Sequence, residues 1–339
     1  MNPVTVARHA MATRFEVVLY GENATHLRAA GEEALAEIER LDAQLTLYRP
    51  GSELSRINAR AARQSVRVEP GLFQLLKHAQ LLHRETQGAF DITIAPLLRC
   101  WGFMGGSGSM PDPQALATAR AQVGMQWVEL NEAEFTIQFH RPGMMLDLGS
   151  IGKGYAIEKA AELLLEAGVT SGFIHGGTSS VYAIGNPPDA DAWKVALDQP
   201  GTLPGEKPSG GLVPHGRQPS GSDFLAVIPL KEESLSVSAV WGKSFAKNGR
   251  LYGHVLDPRL GEPVAAARLA AAILPSATET DAWTTALLVL GRDGLDAISQ
   301  LRPAMRTLLL GQDPGSGSWW VESRGWREKL NLQAGPSAA

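Results

Sequence analysis

The sequence holds a single cysteine, Cys100, in 339 residues. One thiol cannot close an intrachain disulfide, so the fold does not depend on oxidation, and cysteine-rich zinc sites are excluded. Flanked by Leu97, Leu98 and Trp101, Cys100 reads as a buried packing residue. Long apolar runs are missing as well, so no integral membrane segment is expected. No basic segment followed by an apolar stretch opens the chain. We therefore expect a cytoplasmic protein without a signal peptide, although removal of a leader would leave the same sequence. A strong charge of one sign is also lacking. The net charge of −4 gives no electrostatic reason to expect nucleic acid or an anionic membrane as partner. The eight histidines are scattered, with no HExxH pairing. What is present, 44% apolar and 19% charged residues, is a globular composition able to bury a core in one large domain or two closely joined ones.

Residues 14–19 alternate like a strand. Residues 24–45 carry Leu27, Ala34, Leu35, Ile38, Leu41 and Leu45 on one helical stripe, and residues 70–86 carry Leu72, Leu75, Leu76, Ala79 and Leu82 on another, entered at Pro70. A Gly-, Ser- and Pro-rich loop at 104–113 precedes a short helix near 113–121. Strands are expected near 126–130, 134–140 and 144–148. A helix over 151–167 follows, with Ile157, Ala161, Leu164 and Leu165 on one side and Gly168 at its end. Further strands are expected near 171–175, 179–184, 192–197, 224–228, 234–237, 251–256, 306–310 and 318–322, and helices near 278–290 and 293–301. Residues 199–222 are packed with Pro and Gly and read as a flexible insertion. The domain is expected to run over 1–333, with a disordered tail at 334–339. Strands and helices mix without a regular βαβ rhythm, which indicates an α+β fold.

Four segments carry residue types suited to chemistry. Leu146-Asp147-Leu148-Gly149-Ser150-Ile151-Gly152-Lys153-Gly154-Tyr155 reads as a glycine-rich turn that opens a helix, where free N–H groups and a lysine attract phosphate oxygens. It is not a Walker loop: Asp147 stands where that spacing needs glycine, and Gly154 where it needs Ser or Thr. A tight turn with a solvated lysine would look the same. In Ser276-Ala277-Thr278-Glu279-Thr280-Asp281-Ala282-Trp283-Thr284-Thr285, Ser276 with Glu279, or Thr278 with Asp281, forms a capping box. Asp281 and Thr285 share a helix face, and a carboxylate with a hydroxyl suits a hard cation such as Mg²⁺. An ordinary cap is the plainer reading. His254, in Tyr252-Gly253-His254-Val255-Leu256-Asp257-Pro258, titrates near neutral pH and suits a general base, or is a structural histidine. Met11-Ala12-Thr13-Arg14-Phe15, Tyr48 and Trp101-Gly102-Phe103 offer a thioether and aromatic planes for a flat heterocycle, or else belong to the core.

Taken together and in this order, these segments resemble the ApbE family of FAD:protein FMN transferases, from about Met11 to Gly291. Thr46-Leu47-Tyr48, Ser52-Glu53-Leu54-Ser55-Arg56-Ile57-Asn58 and Gly88-Ala89-Phe90-Asp91-Ile92 join the match. The resemblance implies an α+β, T-fold-like duplicated fold of mixed sheets with flanking helices around a central FAD cleft. It implies Mg²⁺ held by Asp281, Thr285 and the main-chain carbonyl of Ser150. Contacts to FAD are implied for Met11, Tyr48, Trp101, Gly102, Phe103, Asp147, Ser150, Lys153 and His254. His254 matches the position that activates the acceptor hydroxyl, and Asp281 and Lys153 join it as catalytic residues. The sequence departs from many relatives at Trp241-Gly242-Lys243, where a Tyr and Arg pattern is usual.

The expected reaction is Mg²⁺-dependent transfer of FMN from FAD to a Thr or Ser hydroxyl of an acceptor flavoprotein, with release of AMP. The same residues would serve an FAD pyrophosphatase, with water as acceptor, or a protein that binds FAD without chemistry. FAD and an acceptor protein are the expected partners of a monomer or homodimer.

Overall fold

The computed structural model describes residues 2–198, 212–213, 224–240, 242–265, 267–313 and 316–326. Alternating burial makes two opening strands, β1 (Val4–Ala10) and β2 (Thr13–Leu19), followed by helix α1 (Ala24–Leu45). Next come α2 (Glu53–Arg60), β3 (Val66–Arg67), α3 (Pro70–Glu85), α4 (Ala95–Cys100) and α5 (Pro113–Arg120). A 3-10 turn (Met125–Trp127), β4 (Val128–Asn131) and β5 (Thr136–Phe139) lead to α6 (Gly152–Glu166). Five strands follow: β6 (Gly172–Gly176), β7 (Ser180–Ile184), β8 (Trp193–Asp198), β9 (Leu212–Val213) and β10 (Phe224–Leu230). After them come β11 (Glu233–Ala239), β12 (Ser244–Lys247), β13 (Arg250–Gly253), β14 (Leu256–Asp257), β15 (Glu262–Pro263) and β16 (Ala267–Leu274). The described chain closes with α7 (Ala277–Leu290), α8 (Arg292–Leu301), β17 (Arg306–Gln312) and β18 (Trp319–Arg324).

The main sheet has the order β1-β2-β6-β7-β11-β16-β17-β18. Every neighbouring pair is antiparallel, and the spatial order is the chain order. The sheet is thus a meander from which the other elements are excursions. Helices α1, α6 and α7 pack together on one face. The sheet β10-β8-β9 covers the other, where Val195, Leu197 and Ile228 meet Val181, Leu235 and Leu308. Two-sided burial is plainest in β16, which sends Ala270, Ala272 and Leu274 into the helical layer and Leu269, Ala271 and Ile273 into the other.

The six expected helices form within one or two residues of their expected ends. Their stripes are buried except at Leu165, which is 44% exposed on the outer side of α6. Cys100 is half-buried rather than enclosed, because Leu97 and Trp101 take the inward positions around it. Residues 144–148 do not form a strand. The Asn58 amide takes the place of a strand neighbour there, donating to the Leu146 carbonyl at 2.9 Å and accepting from the Leu146 N–H at 2.7 Å. A side chain thus satisfies this backbone without a ladder. The expected insertion 199–222 lies outside the described residues apart from Leu212–Val213, as does the tail 334–339. Among the described residues no helix is long and apolar enough to cross a membrane.

Candidate active site

The lysine turn begins at Asp147, whose carboxylate accepts from the Gly149 N–H at 2.7 Å and so folds the chain back. The Leu148 carbonyl accepts from Gly152 N at 2.7 Å, and α6 starts without a side-chain cap. Its first turn therefore has N–H groups to give, and Asp281 takes one of them. Gly154 N–H donates to Asp281 Oδ2 at 2.9 Å. The two segments come this close because residue 154 has no side chain: a Cβ there would stand 2.1 Å from the Ala277 carbonyl oxygen and 2.7 Å from Asp281 Cβ. The glycine-rich turn and the aspartate–threonine helix, 127 residues apart in sequence, form one site.

Ser276 caps α7, accepting from Glu279 N at 3.2 Å. Glu158 of α6 reinforces that end by accepting from Ser276 Oγ and from Thr278 N. The cap thus falls to Ser276, and Asp281 is free to face α6. Asp281 is buried, 5% exposed. Burial pushes its pKa up, against the pull of Lys153 and of the Gly154 and Lys153 N–H groups. A buried carboxylate that makes no direct ion pair among the described residues, and feels Lys153 only at longer range, has a strong incentive to take up a cation.

The neighbouring oxygens suit a hard one. Gly154 N–H is turned to Asp281, and the Ser150 carbonyl accepts no backbone hydrogen bond among the described residues. Thr285, one turn after Asp281, is half-buried, and its hydroxyl has no partner among the described residues, whereas Thr284 Oγ1 donates back to the Asp281 carbonyl at 2.9 Å. Among the described residues there is no cluster of three or more His, Cys, Asp or Glu of the kind that holds softer metals. One carboxylate with neutral oxygens fits the preference of Mg²⁺ for oxygen ligands and retained water.

Lys153 donates to Ser179 Oγ in the turn between β6 and β7. The Ser179 carbonyl in turn accepts from Val237 N at 2.7 Å, which fixes that turn to β11. His254 follows β13 and is half-buried. Burial holds its pKa below the ordinary value of 6.5, and the charges of Lys243 and Lys153 push the same way. The hydrogen bond to the Lys243 carbonyl works the other way but is outweighed, so the neutral imidazole is favoured. Nδ1 lies 3.3 Å from the Lys243 carbonyl; a proton on Nδ1 would satisfy that contact and leave Nε2 as the basic nitrogen.

Met11 and Ala12 form the two-residue turn between β1 and β2, with φ of 48° and 59°. This twist usually belongs to Asn-Gly, and its use here by larger residues costs local strain. Tyr48 is 63% exposed, and burial of its hydroxyl end and the charge of Asp147 raise its pKa. Trp101 and Phe103 are buried in a separate cluster. Trp101 stacks on Tyr252 at 5.8 Å and donates to the Gly261 carbonyl at 2.8 Å, while Phe103 meets Phe245 at 6.0 Å. Their side chains hold the β12–β13 hairpin that presents His254. Gly102 is half-buried, with φ of 70°.

The sequence reading did not single out Ser179, Lys243 or Asn58 as site residues. Ser179 meets Lys153 through one contact, Asn58 meets Leu146 through two and the Lys243 carbonyl meets His254 through two, and neither periodicity nor spacing carries a signal for such contacts.

Residues 11–309 match the family model described as the ApbE family. An FAD:protein FMN transferase of Haemophilus influenzae is 26% identical over 324 residues, covering 92% of this chain and 88% of its own. One of Treponema pallidum is 27% identical, covering 91% and 84%. The apo form of the Pseudomonas stutzeri flavinyl transferase ApbE superimposes with a TM-score of 0.77 at 26% identity, covering 95% of this chain and 94% of its own. The apbe protein of Thermotoga maritima gives a TM-score of 0.78 at 24% identity, covering 94% and 96%.

Proposed function

Because the chain belongs to the ApbE family, we propose that it transfers FMN from FAD to a Thr or Ser hydroxyl of an acceptor flavoprotein and releases AMP. The observation that carries this reading is the 2.9 Å hydrogen bond from Gly154 N–H to Asp281, which joins the phosphate-binding turn to the aspartate–threonine helix.

The diphosphate lies over the lysine turn, where the Lys153 ammonium and the start of α6 favour negative charge. Met11, Tyr48 and the half-buried Gly102 contact the ring systems, with Trp101 and Phe103 packed behind as the support of that wall, and Asp147 shapes the turn beneath them. Asp281, Thr285 and the Ser150 carbonyl are the groups that would hold Mg²⁺, which, when bound, withdraws charge from the phosphates and steadies the leaving group. Neutral His254 takes the proton of the acceptor hydroxyl at Nε2. The freed oxygen forms a bond to the FMN phosphorus in line with the bridging oxygen. The phosphorus–oxygen bond to AMP breaks, and AMP leaves with the electron pair. Fixed positive charge stabilises the transition state where negative charge accumulates.

The test is Asp281→Ala, assayed for flavin on an acceptor protein and for AMP with and without that acceptor. Transfer is expected to fall by at least about a hundredfold, the scale of losing a fixed electrostatic stabiliser. Normal transfer by the variant would remove the metal assignment, and AMP release by the wild type that ignores the acceptor would make the protein a pyrophosphatase.

A further inference from the structure

The β12–β13 hairpin brings His254 to the site, and it brings with it a second group that the sequence motifs leave without a role. Lys243 stands one residue before β12. Its carbonyl accepts from the His254 N–H at 2.9 Å and faces the ring at Nδ1. Gly242 lies over the ring edge, where a Cβ would stand 3.2 Å from His254 Cε1. At the base of the hairpin, a Cβ on Gly253 would be 2.5 Å from the Val240 carbonyl oxygen, so the two chain segments close tightly on each other. Backbone contacts on both sides therefore fix Lys243 relative to His254.

The Lys243 side chain is exposed and makes no hydrogen bond or ion pair with any described residue. Its charge reaches both Asp147 in the lysine turn and His254, and the charge of Lys153 reaches His254 too. Lys153 has a hydroxyl, not a carboxylate, as its hydrogen-bond partner. Two ammonium groups, one from α6 and one from the hairpin, thus bear on a single imidazole, and neither makes an ion pair with a described residue, although each feels a nearby carboxylate, Asp281 for Lys153 and Asp147 for Lys243. Like charges gathered this way repel each other, and an anionic ligand between them turns that repulsion into binding.

We propose that Lys243 is a second cation for the diphosphate of the dinucleotide, delivered by the same hairpin that clamps His254. This rests on the flavin-transfer reading and adds a binding residue to it. Lys153 meets the diphosphate from the helix and Lys243 from the hairpin, so ligand binding draws the two elements together.

Lys243→Met keeps the length of the side chain and removes its charge. Wild type and variant are titrated with FAD, with ADP and with riboflavin. The variant is expected to bind FAD and ADP about tenfold more weakly, the scale of one charged hydrogen bond, and riboflavin as before. Lys243→Arg should recover most of the loss. Lys247→Met, which removes another exposed cation of the hairpin, should bind all three ligands like the wild type. The acid limb of the transfer rate should move to higher pH in Lys243→Met, because one cation no longer opposes protonation of His254. Unchanged FAD binding by Lys243→Met, or an equal loss for riboflavin and FAD, overturns the proposal. A wild type that binds FAD but transfers nothing removes the transferase reading alone, and the same titrations still decide the role of Lys243. A wild type that fails to bind FAD removes both.

Discussion

Burial acts with opposite sign on the carboxylates and the imidazole of this site. It raises the pKa of Asp281 and Asp147 and lowers that of His254, because in each case the charged form loses water. For the proposed reaction, with His254 as the base, the expected consequence is an acid limb below the ordinary histidine value of 6.5. Transfer is expected to be level around pH 7 and to fall as His254 takes a proton. His254→Gln should cost about a hundredfold in rate, within the usual range for a general base, and should abolish that limb. Initial rates between pH 5 and 8 check both outcomes. Stability follows the same titration. The folded pKa lies below the unfolded one, so His254 contributes stability above the unfolded value, and that contribution is lost as pH falls through the folded pKa.

Helix α7 shows how an element is set in place to serve such residues. It is buried on nearly all sides yet carries Thr280 and Thr284 inward. The inward-facing serines of β11 supply their partners. Thr280 Oγ1 lies 3.1 Å from Ser234 Oγ and 3.0 Å from Ser236 Oγ, and Thr284 Oγ1 lies 2.8 Å from Ser238 Oγ. These contacts fix the rotation of α7 about its axis and so the direction in which Asp281 points. Thr280→Val should cost about 1–3 kcal/mol, since it leaves the Ser236 hydroxyl buried without a partner. Adding Ser236→Ala should recover part of that loss, as urea denaturation can show.

The sequence made these two elements legible to different degrees. The cap at Ser276 and the apolar run of α7 mark the helix clearly. The alternating serines of β11 do not announce hydroxyl partners 44 residues away. Strand β16 was not expected at all. Its Ala-Arg-Leu-Ala-Ala-Ala-Ile-Leu run favours a helix by intrinsic propensity, and burial on both faces erases the alternation that marks a strand. The candidate site residues were identifiable from motifs in order, but the polar contacts that place them required the fold.

At the scale of the whole molecule, strand register explains why residues so far apart in sequence meet. Phe15 pairs with Gly176, Gly176 with Ser180, Ser180 with Ser236, and Ala239 with Leu269. The Met11–Ala12 turn, the turn holding Ser179, and the excursion leaving β11 and returning to β16 therefore project from one end of the sheet. That excursion contains Lys243 and His254. Lys153 reaches the same end through Ser179, and Asp281 through Gly154. A meander with long insertions at one end brings the Lys153 turn, Asp281 and the His254 hairpin to that end, while the β10-β8-β9 sheet covers one face.

The most direct test is a crystal structure of the protein with FAD and Mg²⁺. The account predicts the diphosphate between Lys153 and Asp281, with the metal on Asp281, Thr285 and the Ser150 carbonyl. A diphosphate bound away from the start of α6, or a metal coordinated without Asp281, would contradict it.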